Sequence, residues 1–246
     1  MNIREYFTIT ENVPVARDVF RMRLKGNTVA FSRPGQFLNI ALDGFFLRRP
    51  ISVSDYDADG VLIYYKVVGE GTRRMSAMTP GTVLDVLTGL GNGFDITKSG
   101  EYPLIVGGGV GAPPLYRLTR ELKQAGKSPS VILGFNAVDD VFLVSELESL
   151  GVPVNVATAD GSAGIRGFVT DALRETATAY DYVYTCGPEP MLRALYHATA
   201  VSGQYSFEAR MGCGFGACMG CSCKTKYGYK RICRDGPVLE KEEIVW

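Results

Sequence analysis

The cysteines of this chain are concentrated near its end, where five of the six lie between Cys213 and Cys233. The segment reads MGCGFGACMGCSCK and continues to KRICRDGP. Four of its thiols follow the spacing C-x4-C-x2-C…C that is typical of plant-type [2Fe–2S] sites. Soft thiolates suit such clusters, and interleaved glycines allow the tight turns that aim sulfurs inward. The spacing therefore predicts a [2Fe–2S] loop with Cys213, Cys218, Cys221 and Cys233 as ligands.

Two other interpretations of these thiols remain open. A four-cysteine zinc site is one, although zinc ligands usually form two closely spaced pairs and only one such pair is present. Disulfides are the other, and a reducing compartment would disfavour them. Cys223 lies two residues after Cys221 and could replace it as a ligand, but the C-x4-C-x2-C spacing favours Cys221.

The first residues and the shortness of the apolar runs indicate a cytoplasmic protein. The opening sequence MNIREYFTITEN has acidic residues where a signal peptide would need its apolar stretch. No apolar run approaches the ~20 residues of a membrane span. The 26 basic residues balance the 26 acidic ones, which disfavours nucleic acid as a partner.

Residues 1–98 are predicted to form a small antiparallel β-barrel. Short segments with β-branched and aromatic residues alternate with turns that contain glycine, aspartate or proline. Six strands at this spacing are typical of such barrels. The predicted strands are FTIT, VFRMRL, QFLNIAL, ISVS, VLIYYKVV and TVLDVL.

Residues 99–202 alternate between strands and helices, which predicts a Rossmann-like, doubly wound parallel sheet. The strands are PLIV, VILGF, VNVA and YVYTC, and the helices include one over VFLVSELESL that ends at Gly151. Residues 203–246 are too few for a conventional core and would need a metal centre to hold them. The whole chain is thus expected to be an α+β multidomain protein with a barrel, a nucleotide sheet and a cluster domain.

A glycine-rich loop follows the first strand of this sheet. PLIV leads into GGGVGA, which fits G-x-G-x-x-A and would place phosphates at the start of a helix. Asp139 and Asp140 stand about 20 positions further on without an arginine, which favours NAD over NADP. Cys186, Gly187 and Pro188 close the last strand, at the edge where parallel sheets bind ligands. A small buried residue is an equally good interpretation of Cys186 alone.

The motifs in sequence order resemble a known family. Arg49-Pro50-Ile51-Ser52 is similar to the R-x-x-S flavin signature of ferredoxin–NADP reductases, and Gly69–Thr72 is similar to their second phosphate-binding turn. The cysteines and the segment DGPV at residues 235–238 narrow the resemblance to electron-transfer subunits of B-type dihydroorotate dehydrogenases. It extends along essentially the whole chain.

This resemblance implies one FAD, one [2Fe–2S] cluster and NAD(H) as co-substrate. Arg49 would pair with an FAD phosphate, and Ser52 would lie near the reactive edge of the flavin. The remaining FAD residues would be Pro50, Ile51, Tyr64, Tyr65, Lys66, Gly71 and Thr72. The NAD residues would be Gly107, Gly108, Gly109, Gly111, Ala112, Cys186, Gly187 and Pro188.

The resemblance also implies a partner and a pathway. An FMN-containing catalytic subunit would oxidise dihydroorotate, and electrons would pass through the cluster and FAD to NAD+ in pyrimidine biosynthesis. Two copies of each chain would form a heterotetramer. Met211, Phe215 and Met219 would either dock this partner or shield the cluster from water. The alternatives are a subunit of an NADH-dependent ferredoxin:NADP reductase or sulfhydrogenase, and a zinc-stabilised binding module without redox chemistry.

Overall fold

The computed structural model of the chain describes residues 3–176 and 179–246, and its first part is a barrel. The elements of this part are β1 (Ile3–Ala16), β2 (Val19–Lys25), β3 (Phe37–Ile40), β4 (Arg49–Tyr56), β5 (Gly60–Lys66), α1 (Glu70–Ser76) and β6 (Val83–Leu90). The strands close in the order β1-β2-β5-β4-β3-β6 with antiparallel pairing. The predicted antiparallel barrel is therefore confirmed.

Apolar side chains fill the interior of the barrel. Along β3, Leu38 and Ile40 are completely buried inside, so the alternating residues Phe37 and Asn39 face outward. Because the interior is filled, a ligand of the barrel has to bind on its outer surface. The interior side chains include Phe7, Ile9, Met22, Leu24, Val61, Ile63, Tyr65 and Val86.

The second part is a seven-stranded sheet in the order β10-β9-β8-β7-β11-β12-β15. All neighbouring pairs are parallel except β12 with β15. The elements from residue 103 onward are β7 (Pro103–Gly108), α2 (Pro113–Gln124), β8 (Ser130–Phe135), α3 (Val144–Glu148), β9 (Val154–Thr158), β10 (Ile165–Arg166), α4 (Val169–Thr176), β11 (Tyr182–Cys186), α5 (Glu189–Ala198), β12 (Gly203–Ser206), β13 (Ser222–Thr225), β14 (Gly228–Arg231) and β15 (Val238–Glu240). Of these, β13 and β14 form a separate two-stranded sheet.

Helices cover both faces of this sheet. Leu115, Leu118 and Leu122 of α2 are buried in one apolar cluster, and Leu173 of α4 and Leu195 of α5 are buried in another. This arrangement confirms the doubly wound α/β fold. Within the described ranges, none of the helices combines the length and apolar character required to cross a membrane.

The cysteine-rich segment leaves the sheet and returns to it. β12 pairs with β11, and β15 pairs with β12 in the antiparallel sense, so the residues between Ser206 and Val238 form an excursion between two neighbouring strands. Within it, β13 and β14 form a hairpin. Ile244, near the C-terminal end of the chain, pairs with this hairpin through an antiparallel bridge to Thr225.

One predicted helix is wrong in its extent. The sequence VFLVSELESL predicts a helix over residues 141–150, but α3 spans only Val144–Glu148. Leu143 has a left-handed backbone with φ of 68°, and Val141 is extended. Phe142 packs instead against Phe135 and Tyr64, with ring centroids 5.6 and 5.7 Å away. This tertiary packing outweighs the local helical periodicity.

Ion pairs join the barrel to the sheet. Asp55 of β4 accepts hydrogen bonds from Arg117 Nη1 at 3.2 Å and Arg120 Nη1 at 2.6 Å, both on α2. The Arg117 guanidinium also lies 3.6 Å from the centroid of the Tyr56 ring. Since α2 begins at the glycine-rich loop and β4 carries the predicted flavin segment, these contacts orient the two regions relative to each other.

Candidate electron-transfer site

The predicted flavin segment lies at the start of β4, beside the first turn of α1. Arg49 to Ser52 are half-buried. The Arg49 guanidinium lies 4.7 Å from the centroid of the Phe45 ring and donates a hydrogen bond to the Leu47 carbonyl. A Cβ on Gly71 would be 2.2 Å from Arg49 Nε, so a larger residue there would displace the guanidinium. The structure thus brings Arg49 and the Gly71 turn together.

The Thr72 hydroxyl is occupied by its own turn. Its Oγ1 accepts hydrogen bonds from the backbone N–H groups of Val68 at 3.0 Å and Gly69 at 3.2 Å. It also donates to the Gly69 carbonyl at 3.1 Å. These bonds hold the turn before α1 in shape, so Thr72 supports the turn whether or not its hydroxyl also reaches a phosphate.

The strand that carries Tyr64, Tyr65 and Lys66 directs alternate side chains to opposite faces. Tyr65 points into the barrel, where its hydroxyl donates to Asn12 Oδ1 at 2.8 Å. Tyr64 faces the nucleotide sheet and packs on Phe142. Burial raises the pKa of both phenols to about 12. Only the backbone of Tyr65 can therefore reach a ligand outside the barrel, whereas Lys66 is half-buried on the Tyr64 side.

The glycine-rich loop packs tightly against the end of the neighbouring strand. A Cβ on Gly111 would lie 2.4 Å from the carbonyl oxygen of Cys186, and one on Gly108 would lie 2.5 Å from Met191 Sδ. Gly109 adopts a φ of 51° in the turn between β7 and α2. Gly107 and Cys186 are register partners on β7 and β11. The predicted NAD residues, Gly107 to Ala112 and Cys186 to Pro188, therefore meet at one edge of the sheet.

The Cys186 thiol is buried and neutral. Burial raises its pKa, the negative charge of Glu208 adds to this rise, and a hydrogen bond with Ser206 opposes it. Although the Glu208 side chain reaches solvent, desolvation by the surrounding protein raises the pKa of its carboxyl group. Sequence reasoning missed Glu208, whose one signal is its position two residues after the end of β12, at the ligand-binding edge of the sheet.

The two acidic residues that favour NAD in the sequence, Asp139 and Asp140, have different environments in the structure. Asp140 is buried and pairs with Arg17 of the barrel at 2.7 Å, whereas Asp139 is exposed. Asp140 thus contributes to the contact between barrel and sheet. If an acidic side chain of this pair binds the ribose, Asp139 is the one that remains accessible.

The four predicted ligand thiols form two pairs. Cys213 Sγ accepts hydrogen bonds from the N–H groups of Ala217 at 3.2 Å and Cys218 at 3.4 Å, and Cys221 Sγ accepts one from Cys233 N–H at 3.4 Å. Burial acts to raise the pKa of Cys213, but hydrogen bonds led by that from Cys218 N–H lower it to about 6. This thiol is therefore largely ionised at neutral pH, as a metal ligand must be.

In the second pair of thiols, the pKa of Cys233 is raised rather than lowered. Burial and the adjacent Cys221 raise the pKa of Cys233 to about 12, and the charge of Cys213 adds to this rise. Thiols this close disfavour one another's ionisation, and a positively charged metal centre would reverse that effect. Cys223 lies in β13 opposite Lys230, and its pKa is raised by burial and by Glu243.

The described residues contain no group of three or more Cys, His, Asp or Glu side chains arranged to hold a metal ion. The four thiols nevertheless suit a [2Fe–2S] cluster, in which each of two irons takes two protein ligands. Their grouping into two pairs, Cys213 with Cys218 and Cys221 with Cys233, fits two irons better than the single tetrahedral ion of a zinc site.

Comparison with protein families identifies the two C-terminal parts. Residues 105–197 match the oxidoreductase NAD-binding domain, and residues 208–245 match the iron–sulfur cluster binding domain of dihydroorotate dehydrogenase B. A solved NADH-dependent reduced ferredoxin-NADP oxidoreductase, studied for flavin-based electron bifurcation, is similar with a TM-score of 0.89 and 31% identity over 98% of this chain and 90% of that one. Fold and comparisons together define an oxidoreductase component that transfers electrons.

Comparison with individual proteins narrows this class. The chain is 46% identical over 252 residues to the dihydroorotate dehydrogenase B (NAD(+)) electron transfer subunit of Fusobacterium nucleatum, with 96% of each sequence covered. It is 43% identical to the corresponding subunit of Shouchella clausii, covering 97% of this chain and 96% of that subunit. The chain therefore belongs to the family of dihydroorotate dehydrogenase B (NAD+) electron transfer subunits.

Proposed function

We propose that this chain transfers electrons from a dihydroorotate-oxidising partner to NAD+ in pyrimidine biosynthesis. Family membership supports the overall reaction. The observation that carries the proposal in this chain is the order of strands at one edge of the sheet. Gly107, Cys186 and Ser206 lie side by side on β7, β11 and β12, and the chain continues from Ser206 into the cysteine loop.

The barrel would hold FAD on its outer surface. Arg49 has the planar charge that suits a phosphate, and the Gly71 turn beside it offers backbone N–H groups. Pro50 and Ser52 would line the flavin ring with their side chains and Ile51 with its backbone, because the Ile51 side chain packs against the barrel interior. Residues Tyr64 to Lys66 of β5, the strand adjacent to β4, would also approach the ring. When bound, FAD exchanges single electrons with the cluster and a hydride with NAD+.

The sheet and the excursion would bind the other two groups. Gly107 to Ala112 would support the NAD pyrophosphate, and Cys186 to Pro188 would adjoin the nicotinamide. A neutral Cys186 cannot act as a nucleophile and would serve through its shape and polarity. Cys213, Cys218, Cys221 and Cys233 would bind the [2Fe–2S] cluster. No side chain has to act as a general acid or base for this electron transfer.

The partner would be an FMN-containing catalytic subunit, with two copies of each chain in a heterotetramer. The exposed side of the cysteine loop supports a docking role, because Phe215 and Met219 remain 45% and 54% accessible. Met211 is half-buried within an apolar cluster and would instead shield the metal centre. We also propose a cytoplasmic location, which cell fractionation would test.

The decisive experiment is to co-purify the chain with its catalytic partner and to measure NADH formation from dihydroorotate and NAD+. We expect NADH formation to require both chains. The likeness to the ferredoxin-NADP oxidoreductase supports a second candidate, electron exchange with ferredoxin. NADH oxidation that depends on ferredoxin, without any response to dihydroorotate, would favour that candidate. A colourless protein that contains zinc but no flavin would instead identify a non-redox module.

A further inference from the structure

Arg231 ends β14 and precedes the buried Cys233 by two residues. Its guanidinium donates two hydrogen bonds to the Asp235 carboxylate, from Nε to Oδ2 at 2.9 Å and from Nη2 to Oδ1 at 3.1 Å. The Arg231 backbone N–H donates a third, to Oδ2, at 2.9 Å. This paired geometry closes the turn around Cys233 and leaves the Nη1 group available for another acceptor.

The Nη1 group of Arg231 reaches the loop that carries the first pair of thiols. It donates a hydrogen bond to the Gly216 carbonyl at 3.0 Å. Gly216 lies between the two cysteines of that pair and is buried, with a left-handed φ of 91°. A Cβ there would lie 2.6 Å from Arg234 Cδ, so the Arg234 side chain also packs on this residue. Two arginines that flank Cys233 therefore hold the middle of the other cysteine loop.

Gly216 also connects the two pairs of thiols directly. Burial raises the pKa of Cys233, and a hydrogen bond from the Gly216 N–H opposes this rise. Hydrogen bonds to the sulfurs are one of the means by which a protein sets the reduction potential of an iron–sulfur cluster. The position of Gly216 thus matters for both thiol pairs, and Arg231 fixes that position from the carbonyl side.

The segment DGPV at residues 235–238 attaches this arrangement to the barrel. The side chain of Asn92, two residues after the end of β6, donates to the Val238 carbonyl at 2.8 Å and accepts from the Val238 N–H at 3.1 Å. The Asn92 N–H donates to the Gly236 carbonyl at 2.7 Å. Because Asp235 begins this segment, its bond to Arg231 attaches the cysteine loop to a fixed part of the barrel.

We propose that the Arg231–Asp235 pair positions the [2Fe–2S] cluster and sets its reduction potential, by holding Gly216 and by placing a guanidinium charge beside the ligand loop. This inference rests on the proposed function, because it requires the cluster to be present. The reduced cluster carries one more negative charge than the oxidised cluster, so a nearby cation stabilises the reduced state and raises the potential. The Asp235 carboxylate acts in the opposite direction and moderates this effect.

Variants of the two partners should change the potential in opposite directions. Arg231→Met removes the cation and the bond to Gly216, so we expect a lower potential. A chelator should also remove iron about tenfold faster, the factor that one lost charge-assisted hydrogen bond represents. Asp235→Asn removes a negative charge and leaves the guanidinium unpaired, so the potential should rise.

Arg231→Lys separates the charge from the geometry. Lysine keeps the positive charge but lacks the planar fork that binds Asp235 and Gly216 at the same time. We expect its potential to lie between those of Arg231→Met and the original chain, while iron is still lost faster than from the original chain.

The measurements use the full chain purified with FAD and its cluster. The matched control is Arg174→Met, which breaks the exposed ion pair with Asp171 on α4. Redox titration followed by electron paramagnetic resonance gives the potential, and the decay of cluster absorbance with a chelator gives the rate of iron loss. An unchanged potential in Arg231→Met, or a fall in Asp235→Asn, overturns the proposal. If Arg231→Met does not retain the cluster, the signs of the shifts in Arg231→Lys and Asp235→Asn decide. An unmodified chain that contains zinc and no iron would refute the proposed function instead.

Discussion

The barrel and the cysteine loop achieve their order by different means. The barrel surrounds an interior of completely buried apolar side chains such as Phe7, Leu38 and Ile40. The loop exposes Ala217 to Gly220 and relies on glycine turns and hydrogen bonds to sulfur. The barrel can therefore be expected to hold its shape without a cofactor, whereas the loop depends on its metal centre for stability. A change confined to one region should therefore leave the other region intact.

The largest effect is expected from Cys233→Ser. This change removes one thiol of the buried pair, and a cluster that has lost a ligand should not be retained. We expect complete loss of iron and of the cluster absorbance, while FAD stays bound and NADH still reduces an artificial dye. Iron analysis and a dye-reduction assay measure these outcomes. Simultaneous loss of FAD would show that the barrel also depends on the cluster.

Phe7→Ala should destabilise the barrel strongly. The Phe7 ring is completely buried and lies against Gly26, where an added Cβ would be 2.5 Å from the ring. Truncating a buried phenylalanine typically costs about 3–5 kcal/mol. Denaturant unfolding monitored by circular dichroism measures the change. The control is the neighbouring Tyr6→Ala, which is 62% exposed and should change stability by about 0.5 kcal/mol or less.

Alkaline pH should weaken the barrel through its buried tyrosines. Burial raises the pKa of Tyr64 and Tyr65 to about 12, above the value of 10 in the unfolded chain. Their contribution to stability is therefore complete below pH 10 and is lost as the pH rises toward 12, at up to about 1.4 kcal/mol per pH unit for each group. Unfolding at several pH values should show a shallower decline for Tyr65→Phe than for the exposed control Tyr229→Phe. An equal decline of stability with pH in the two variants would show that ionisation of Tyr65 is not the cause.

Cys223→Ser should have the smallest effect. This thiol lies in the hairpin, outside the two hydrogen-bonded pairs. We expect iron content and the cluster spectrum to remain unchanged, with a change in stability of about 0.5 kcal/mol or less. Loss of iron in Cys223→Ser, together with its retention in Cys221→Ser, would show that Cys223 is the ligand and Cys221 is not.

The difference between the two regions also governs what sequence can predict. Alternating apolar residues place the strands of the barrel, because one face of each strand has to enter the core. For the loop, cysteine spacing predicts the ligands but not their grouping into pairs. Glu208 carries no local pattern, since its position beside Cys186 arises from the register of β11 and β12. The shortened α3 has the same origin, in the packing of Phe142 on the barrel.

The return of the chain from β12 to β15 gives the molecule a modular construction. Ser206 and Val238 are register partners in adjacent antiparallel strands, so their backbones lie within reach of a short turn. Everything between them could be exchanged for such a turn without breaking the connectivity of the sheet. A lineage could gain or lose the metal centre in a single genetic event and retain a flavin reductase, and an engineer could graft another redox loop at the same two residues.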